Sequence, residues 1–180
     1  MIGQQQPTAY TGSRDRRLVT VRRGALLDEQ THRALALWAA ACAERVLGLF
    51  ETGGGDDRPR AAIESARQWA RGEISMTSAR SAAYAAHAAA RERDGAARAA
   101  AGAAGHAAAT AHMADHELGP AYYALLAARA ATADPLAVER ERQWQLEQLV
   151  PQIRDLVLDD MRQRAAKFAD AFEGRVAGSS

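Results

Sequence analysis

The sequence predicts an all-α fold: a single-domain bundle of about seven helices with an Ala-rich helical hairpin at its centre. Three observations carry this. Ala makes up 45 of the 180 residues, and Ala is the strongest helix former because it gives up no side-chain entropy. There is no surplus of Val, Ile and Thr of the kind a β fold needs. Apolar residues recur at helical spacing between breaks built from Asp, Gly and Pro. A chain of this length can bury a real core as one domain. Its 25% charged residues and three Trp argue against a disordered polypeptide.

Residues 1–27 read as a flexible arm containing Arg, rich in Gln, Thr, Gly and Ser and without periodicity, in which Leu18–Val21 is the one segment able to dock on the body. A helical domain over 28–173 follows, with a frayed tail over 174–180. Asp28 is an N-cap with Glu29 in the first turn. Leu35, Trp38, Cys42, Val46 and Leu49 then share one face of a helix from about 29 to 51, which Gly53-Gly54-Gly55 ends. Asp56-Asp57-Arg58-Pro59 starts a second helix, with acid at the positive end of the dipole and Pro in the first turn. It carries Ile63, Ala66, Ala70 and Ile74, with Trp69 at the edge of the stripe. A third helix is expected from about Thr77 to Asp94, and a fourth from about Ala96 to Leu118 with Gly95 between them. Gly119-Pro120 opens a fifth with Tyr122, Tyr123, Leu125 and Leu126. Asp134-Pro135 opens a sixth through Trp144 and Leu149, and Pro151 a seventh with Ile153, Val157, Met161, Ala165, Phe168 and Phe172. From Ala79 to Ala133, 27 of 55 residues are Ala, which lets helices approach closely. Gly102 and Gly105 permit closer contact still.

Basic residues number 23 and acidic ones 22, and all but one of the basic residues are Arg. Residues 1–24 hold Arg14, Arg16, Arg17, Arg22 and Arg23 against Asp15, a net of +4; the remainder carries −3. A body so near neutrality is a poor general nucleic-acid binder, since that affinity comes from neutralising phosphates. Cys42 is the only cysteine, so no intrachain disulfide can form, as suits a reducing cytoplasm. No apolar run follows Met1 in the pattern of a signal peptide, and no stretch is apolar enough to span a bilayer. No cofactor motif is present. Gly53–Gly55 lacks the Gly-Lys-Ser/Thr of a phosphate loop, and Ser65, Ser75, Ser78 and Ser81 lie in no nucleophile setting.

Four of the five histidines, His87, His106, His112 and His116, fall on the two Ala-rich segments. His112 and His116, four apart on one expected helix, have the spacing of two ligands of one metal ion, with Asp115 beside them to orient a ring. Met113 stands where a zinc protease helix has its general base Glu. A third ligand would have to come from His106, His87, Glu117 or Cys42. The structural alternative is that an Ala-packed bundle uses His to fill gaps and to bond a partner helix, with Thr110 one turn from His106 and able to bond its ring or the carbonyl at 106. Such groups could also line a pocket walled by Trp38, Trp69 and Tyr84. Two minority readings follow: a metal-dependent helical enzyme using His112, His116 and His106, and a helical regulator that binds a small molecule.

Several strings taken in order carry a resemblance: Trp38-Ala39-Ala40-Ala41-Cys42-Ala43-Glu44-Arg45-Val46-Leu47, Asp57-Arg58-Pro59-Arg60-Ala61-Ala62-Ile63-Glu64, Trp69-Ala70-Arg71-Gly72-Glu73-Ile74, Ala85-Ala86-His87-Ala88-Ala89-Ala90-Arg91, Gly105-His106-Ala107-Ala108-Ala109-Thr110-Ala111-His112 and Trp144-Gln145-Leu146-Glu147. Over roughly 33–160 the chain resembles the bacterial Imm-5-like immunity proteins. The resemblance implies an all-helical cytoplasmic protein that is not an enzyme and protects its producer from the toxin of a polymorphic toxin system. Its partner would be a cognate protein toxin. The resemblance carries no catalytic residues with it, so the matching Trp69, His87, His106, Thr110 and His112 stand as candidates for a pocket or an interface. For a nuclease toxin an acidic contact face is expected, with Glu139, Glu141, Glu147, Asp155, Asp159 and Asp160 as its residues, interrupted by Arg140, Arg142, Arg154, Arg162 and Arg164.

Overall fold

A computed structural model describes residues 11–168. Among these the chain forms seven α-helices: α1 (Glu29–Glu51), α2 (Arg58–Ala70), α3 (Met76–Arg91), α4 (Gly95–Ala109), α5 (Leu118–Ala131), α6 (Ala137–Glu147) and α7 (Pro151–Gln163). The expected seventh-helix position Phe172 and the tail over 174–180 lie outside the described residues, as do residues 1–10 of the arm.

Local chemistry sets most of the helix starts. The Asp28 carboxylate accepts from the Thr31 backbone N–H at 2.8 Å, and Ser75 Oγ accepts from Ser78 N–H at 3.1 Å; each satisfies a donor that the first turn would otherwise leave orphaned. α2 and α7 begin at a Pro-bearing first turn, where the missing N–H costs nothing. α6 starts later than its Asp-Pro signal suggests. Asp134 spends its carboxylate on Leu136 N–H at 2.8 Å and on Arg140, which makes a turn ahead of the helix. α2 stops at Ala70, short of Ile74, because Gly72 with φ 77 turns the chain.

α4 lies at the centre and packs against α1, α2, α3 and α5. Ten of its residues are buried, all Ala or Gly. Around it the Ala-rich core joins Ala39, Ala43, Leu47 and Phe50 of α1, Ile63 and Ala66 of α2, and Ala83 and Ala86 of α3. A second core holds the larger side chains: Leu35, Trp38 and Cys42 of α1, Leu118 of α5, Leu149, Ile153 and Val157 leading into and along α7, and Phe168. Each fully buried Leu, Ile or Phe contributes about 1.5–3 kcal/mol, whereas the Ala positions contribute through close approach of backbones. The two cores therefore divide the labour: small residues hold helix spacing, and large ones close the α1–α5–α7 side.

The arm departs from its expectation. Over the described residues 11–27 it is docked, not loose. It makes two short 3-10 turns, Arg16–Leu18 and Val21–Arg23, and buries Leu18, Val19, Ala25 and Leu27. Val21 N–H donates to Leu27 O at 3.0 Å and Leu27 N–H to Val19 O at 2.9 Å, so the segment folds back on itself. Arg17 ties it to Asp15 and, at 2.8 Å, to Asp159 of α7. Four apolar residues without a helical period leave no amphipathic signal, yet they suffice to seat a segment whose polar groups are satisfied.

Candidate functional site

The largest departure from expectation shapes the site. α4 ends at Ala109, not Leu118. Beyond it the N–H groups of Ala111 and His112 bond three residues back, to the carbonyls of Ala108 and Ala109, and Met113 turns to extended backbone. The Thr110 carbonyl, which the next turn would need, instead accepts from His32 Nε2 of α1 at 2.7 Å. That bond fixes the Nε2-protonated form of His32. Thr110 Oγ1 donates to His106 O at 3.0 Å, the carbonyl option of the two expected for it. His112 and His116 therefore do not share a helical face: His112 lies in the turn and His116 in the 3-10 turn Ala114–His116.

The histidines nevertheless form a row. Ring centroids lie 4.9 Å apart for His87 and His106, 5.4 Å for His106 and His116, and 5.5 Å for His112 and His116. His106 also stacks on Tyr123 at 5.1 Å. Glycines make this nesting possible. A Cβ at Gly105 would fall 2.6 Å from the His87 ring, and one at Gly119 would fall 2.6 Å from the His106 ring. At Gly102 it would meet Tyr123 at 3.0 Å. So Gly102 and Gly105 admit ring side chains from α5 and α3, beyond letting backbones approach. Burial pushes all of these histidines below their ordinary range. His106 falls to about 3, first through burial and then through His87 and His116. The row is thus a set of neutral imidazoles, and the Nδ1 atoms of His106 and His112 are buried without a hydrogen-bond partner among the described residues.

Among the described residues no three His, Cys, Asp or Glu side chains converge as a metal-ligand group. Two of the expected third ligands are committed elsewhere. Cys42 is buried in the second core, where burial drives its thiol up. Glu117 is fully buried against Arg164 at 2.8 Å, and Arg164 also pairs with Asp160. Burial, then the adjacent Asp160, pushes the Glu117 carboxyl well above its usual range. This cluster, invisible in the sequence, pins α7 to the start of α5.

A cleft of about 720 Å³ opens between the docked arm and the ends of α2, α3 and α4. Of the expected candidates, Trp69, Tyr84 and His112 line it. His87, His106 and Thr110 do not, and Trp38 sits in the second core, donating its indole N–H to Gln145 O at 3.0 Å. The sequence pattern gave no sign of His32, which packs on Trp69 with centroids 4.6 Å apart. Nor did it mark Arg80 of α3, which lines the cleft beside the arm. Half of the expected acidic face is withdrawn: Glu141 is buried and bonded by Gln145 and Arg45, Asp160 is buried with Arg164, and Asp159 pairs with Arg17 and Arg162, while Glu139, Glu147 and Asp155 stay exposed.

A family model described as "Imm-5 like putative immunity protein" matches residues 25–152. The chain belongs to that family. No curated protein matches it, and no solved structure does. The Imm-5-like segment takes in α1 to α6, all five histidines, Trp69, Arg80 and Tyr84. The arm that closes the cleft, carrying Arg14, Arg22 and Arg23, precedes it, and Asp160 of α7 and Arg164 at the end of that helix follow it. No helix among the described residues is long and apolar enough to cross a membrane.

Proposed function

We propose that this chain is an immunity protein that neutralises a cognate bacterial toxin in the cytoplasm of its producer by non-covalent binding, without catalysis. The match to the Imm-5-like family over residues 25–152 carries the reading. The fold supports it in a general way. A bundle whose central helix is packed through Ala and Gly has little freedom to deform, and a pre-organised surface binds at lower ordering cost. The surface charge lends little to phosphate mimicry, because Glu139, Glu141, Asp159 and Asp160 of α6 and α7 are paired with Arg.

The test is co-expression of the chain with each protein encoded beside it. A stable complex that survives size-exclusion chromatography, and rescue of growth from the toxic neighbour, is the expected result. An interface of ordinary size buries about 1,200–2,000 Å². If no neighbouring product is toxic, or if the toxic one neither binds nor is relieved, the reading is wrong.

A further inference from the structure

Most arginines of the bundle are neutralised. Arg58 bonds Asp56 and Glu92, Arg60 bonds Glu51, Arg67 bonds Glu44, and Arg71 bonds Glu64 and Glu73. The cleft under the arm differs. Arg22 and Arg23 of the arm and Arg80 of α3 line it, and none of the three has a carboxylate at ion-pair distance among the described residues. After burial, Arg80 and Arg23 both lower the His112 ring further, and Asp115 acts against them. Among the described residues Glu29 is the single carboxylate on the lining.

The other walls are flat and apolar. Trp69, tilted against His32, forms part of the wall, and Tyr84 stands at the mouth with 66% of its surface exposed. Met76 and Met113 add adaptable thioethers. The volume lies in the range of small-molecule sites. Guanidinium groups recognise phosphate by paired N–H donors, and aromatic faces take up a planar ring.

From this placement we infer that the cleft between the arm and α3 binds a free nucleoside mono- or diphosphate, its base against Trp69 and Tyr84 and its phosphate between Arg22, Arg23 and Arg80. A longer strand fits less well, because beyond residue 24 the chain carries a net of −3 and the phosphates outside the cleft would meet no continuous basic track. The inference does not rest on toxin neutralisation, and binding to the isolated chain reads it separately.

Isothermal titration calorimetry on the full chain, with the ribonucleoside mono- and diphosphates of the four common bases, tests it. At least one should bind with a Kd of about 100 µM or tighter. The matching nucleoside and inorganic phosphate should each bind at least about tenfold more weakly, since each keeps only half of the recognised chemistry. Arg80→Ala should cost about tenfold or more, and Tyr84→Ala several-fold. Both side chains are exposed, so circular dichroism should show both variants folded. Three outcomes overturn the inference: no nucleotide binds, binding ignores Arg80→Ala, or a 5′-phosphorylated tetraribonucleotide binds more tightly than any mononucleotide. A fourth does so as well: Arg80→Ala abolishes capture of a toxin while no nucleotide binds, which would make the cleft a protein-docking surface.

Discussion

At Gly105 and Gly119 the absence of one methyl group decides whether two aromatic rings can sit between helices. Helix propensity alone favours Ala at either position by about 1 kcal/mol. The geometry opposes it. At Gly105 the new Cβ meets three ring atoms of His87 at 2.6–2.8 Å, and His87 is only partly buried, so it can swing outward at some cost. At Gly119 the new Cβ meets His106 Cγ at 2.6 Å and its Cβ at 2.8 Å, atoms tied to the α4 backbone. Overpacking of this kind costs about 1–3 kcal/mol. Gly119→Ala should therefore lower the thermal midpoint more than Gly105→Ala does. Gly48 is the control: it is exposed on α1, and a Cβ there would have nothing within 4 Å. Gly48→Ala should stabilise by about 0.5–1 kcal/mol. In a His87→Ala background Gly105→Ala should turn from destabilising to stabilising. Chemical denaturation of the single and double variants measures all four. An unchanged sign at Gly105 in the double variant would mean that His87 is not what the methyl group meets.

Between elements, one ion cluster holds α7 on the bundle. Arg164 reaches Glu117 Oε1 and the Asp115 carbonyl, both at 2.8 Å, and also pairs with Asp160. Removing a buried partner leaves uncompensated charge and costs about 3–5 kcal/mol, so Arg164→Ala should strongly destabilise the chain. Glu117→Gln should not, because a neutral amide keeps the acceptor for Arg164 and removes a carboxyl that burial already drives toward its protonated form. Urea unfolding at pH 7.5 separates the two; equal losses would show that the Glu117 charge itself is needed. None of this cluster was legible in the sequence, because it joins residues 47 apart through a turn that no local signal marks. By contrast α1 was legible to the residue, since Asp28 caps it and a Leu, Trp, Cys and Val stripe runs its length. α4 shows where such reasoning fails. Ala propensity continues smoothly past Ala109, yet the chain there tightens into three-residue bonds and the Thr110 carbonyl accepts from His32, 78 residues away. His112 lies in that turn, lines the cleft and still neighbours His116, with centroids 5.5 Å apart, without sharing a helix with it. The candidates Trp69, Tyr84 and His112 were readable as a pocket wall because they stand out from an Ala background. The arm's part in closing that pocket was not readable, because Leu18, Val19 and Leu27 carry no period.

For the whole molecule, the histidines set how stability depends on pH. All five lie below their ordinary range, with burial as the first cause in each. A base depressed in the folded state binds its proton more readily when unfolded, so its contribution is present above the unfolded pKa near 6.5 and is lost as pH falls through the folded one. For His106, at about 3 when folded, the loss between pH 7 and pH 5 is about 2 kcal/mol. Glu117 works the other way: its raised carboxyl pKa makes stability fall as pH rises above about 4.5. Held protonated in the folded chain from pH 7 to pH 5, it offsets up to about 1.4 kcal/mol per pH unit, as much as His106 loses. The ion-paired carboxylates such as Asp15, Glu44 and Asp56 are depressed, so their contribution is lost as pH falls through the usual carboxylate range and below it, and leaves the window from pH 7 to 5 mainly to the histidines and Glu117. In a Glu117→Gln background, which removes that offset, the midpoint of thermal unfolding should therefore drop between pH 7 and pH 5, by roughly 4–8 °C from His106 alone for a chain of this size. His106→Gln, which cannot titrate, should flatten that slope even though it changes the midpoint at pH 7. A midpoint that holds steady to pH 5 in that background would mean that the imidazole row takes up protons without unfolding, and that the rings reach water.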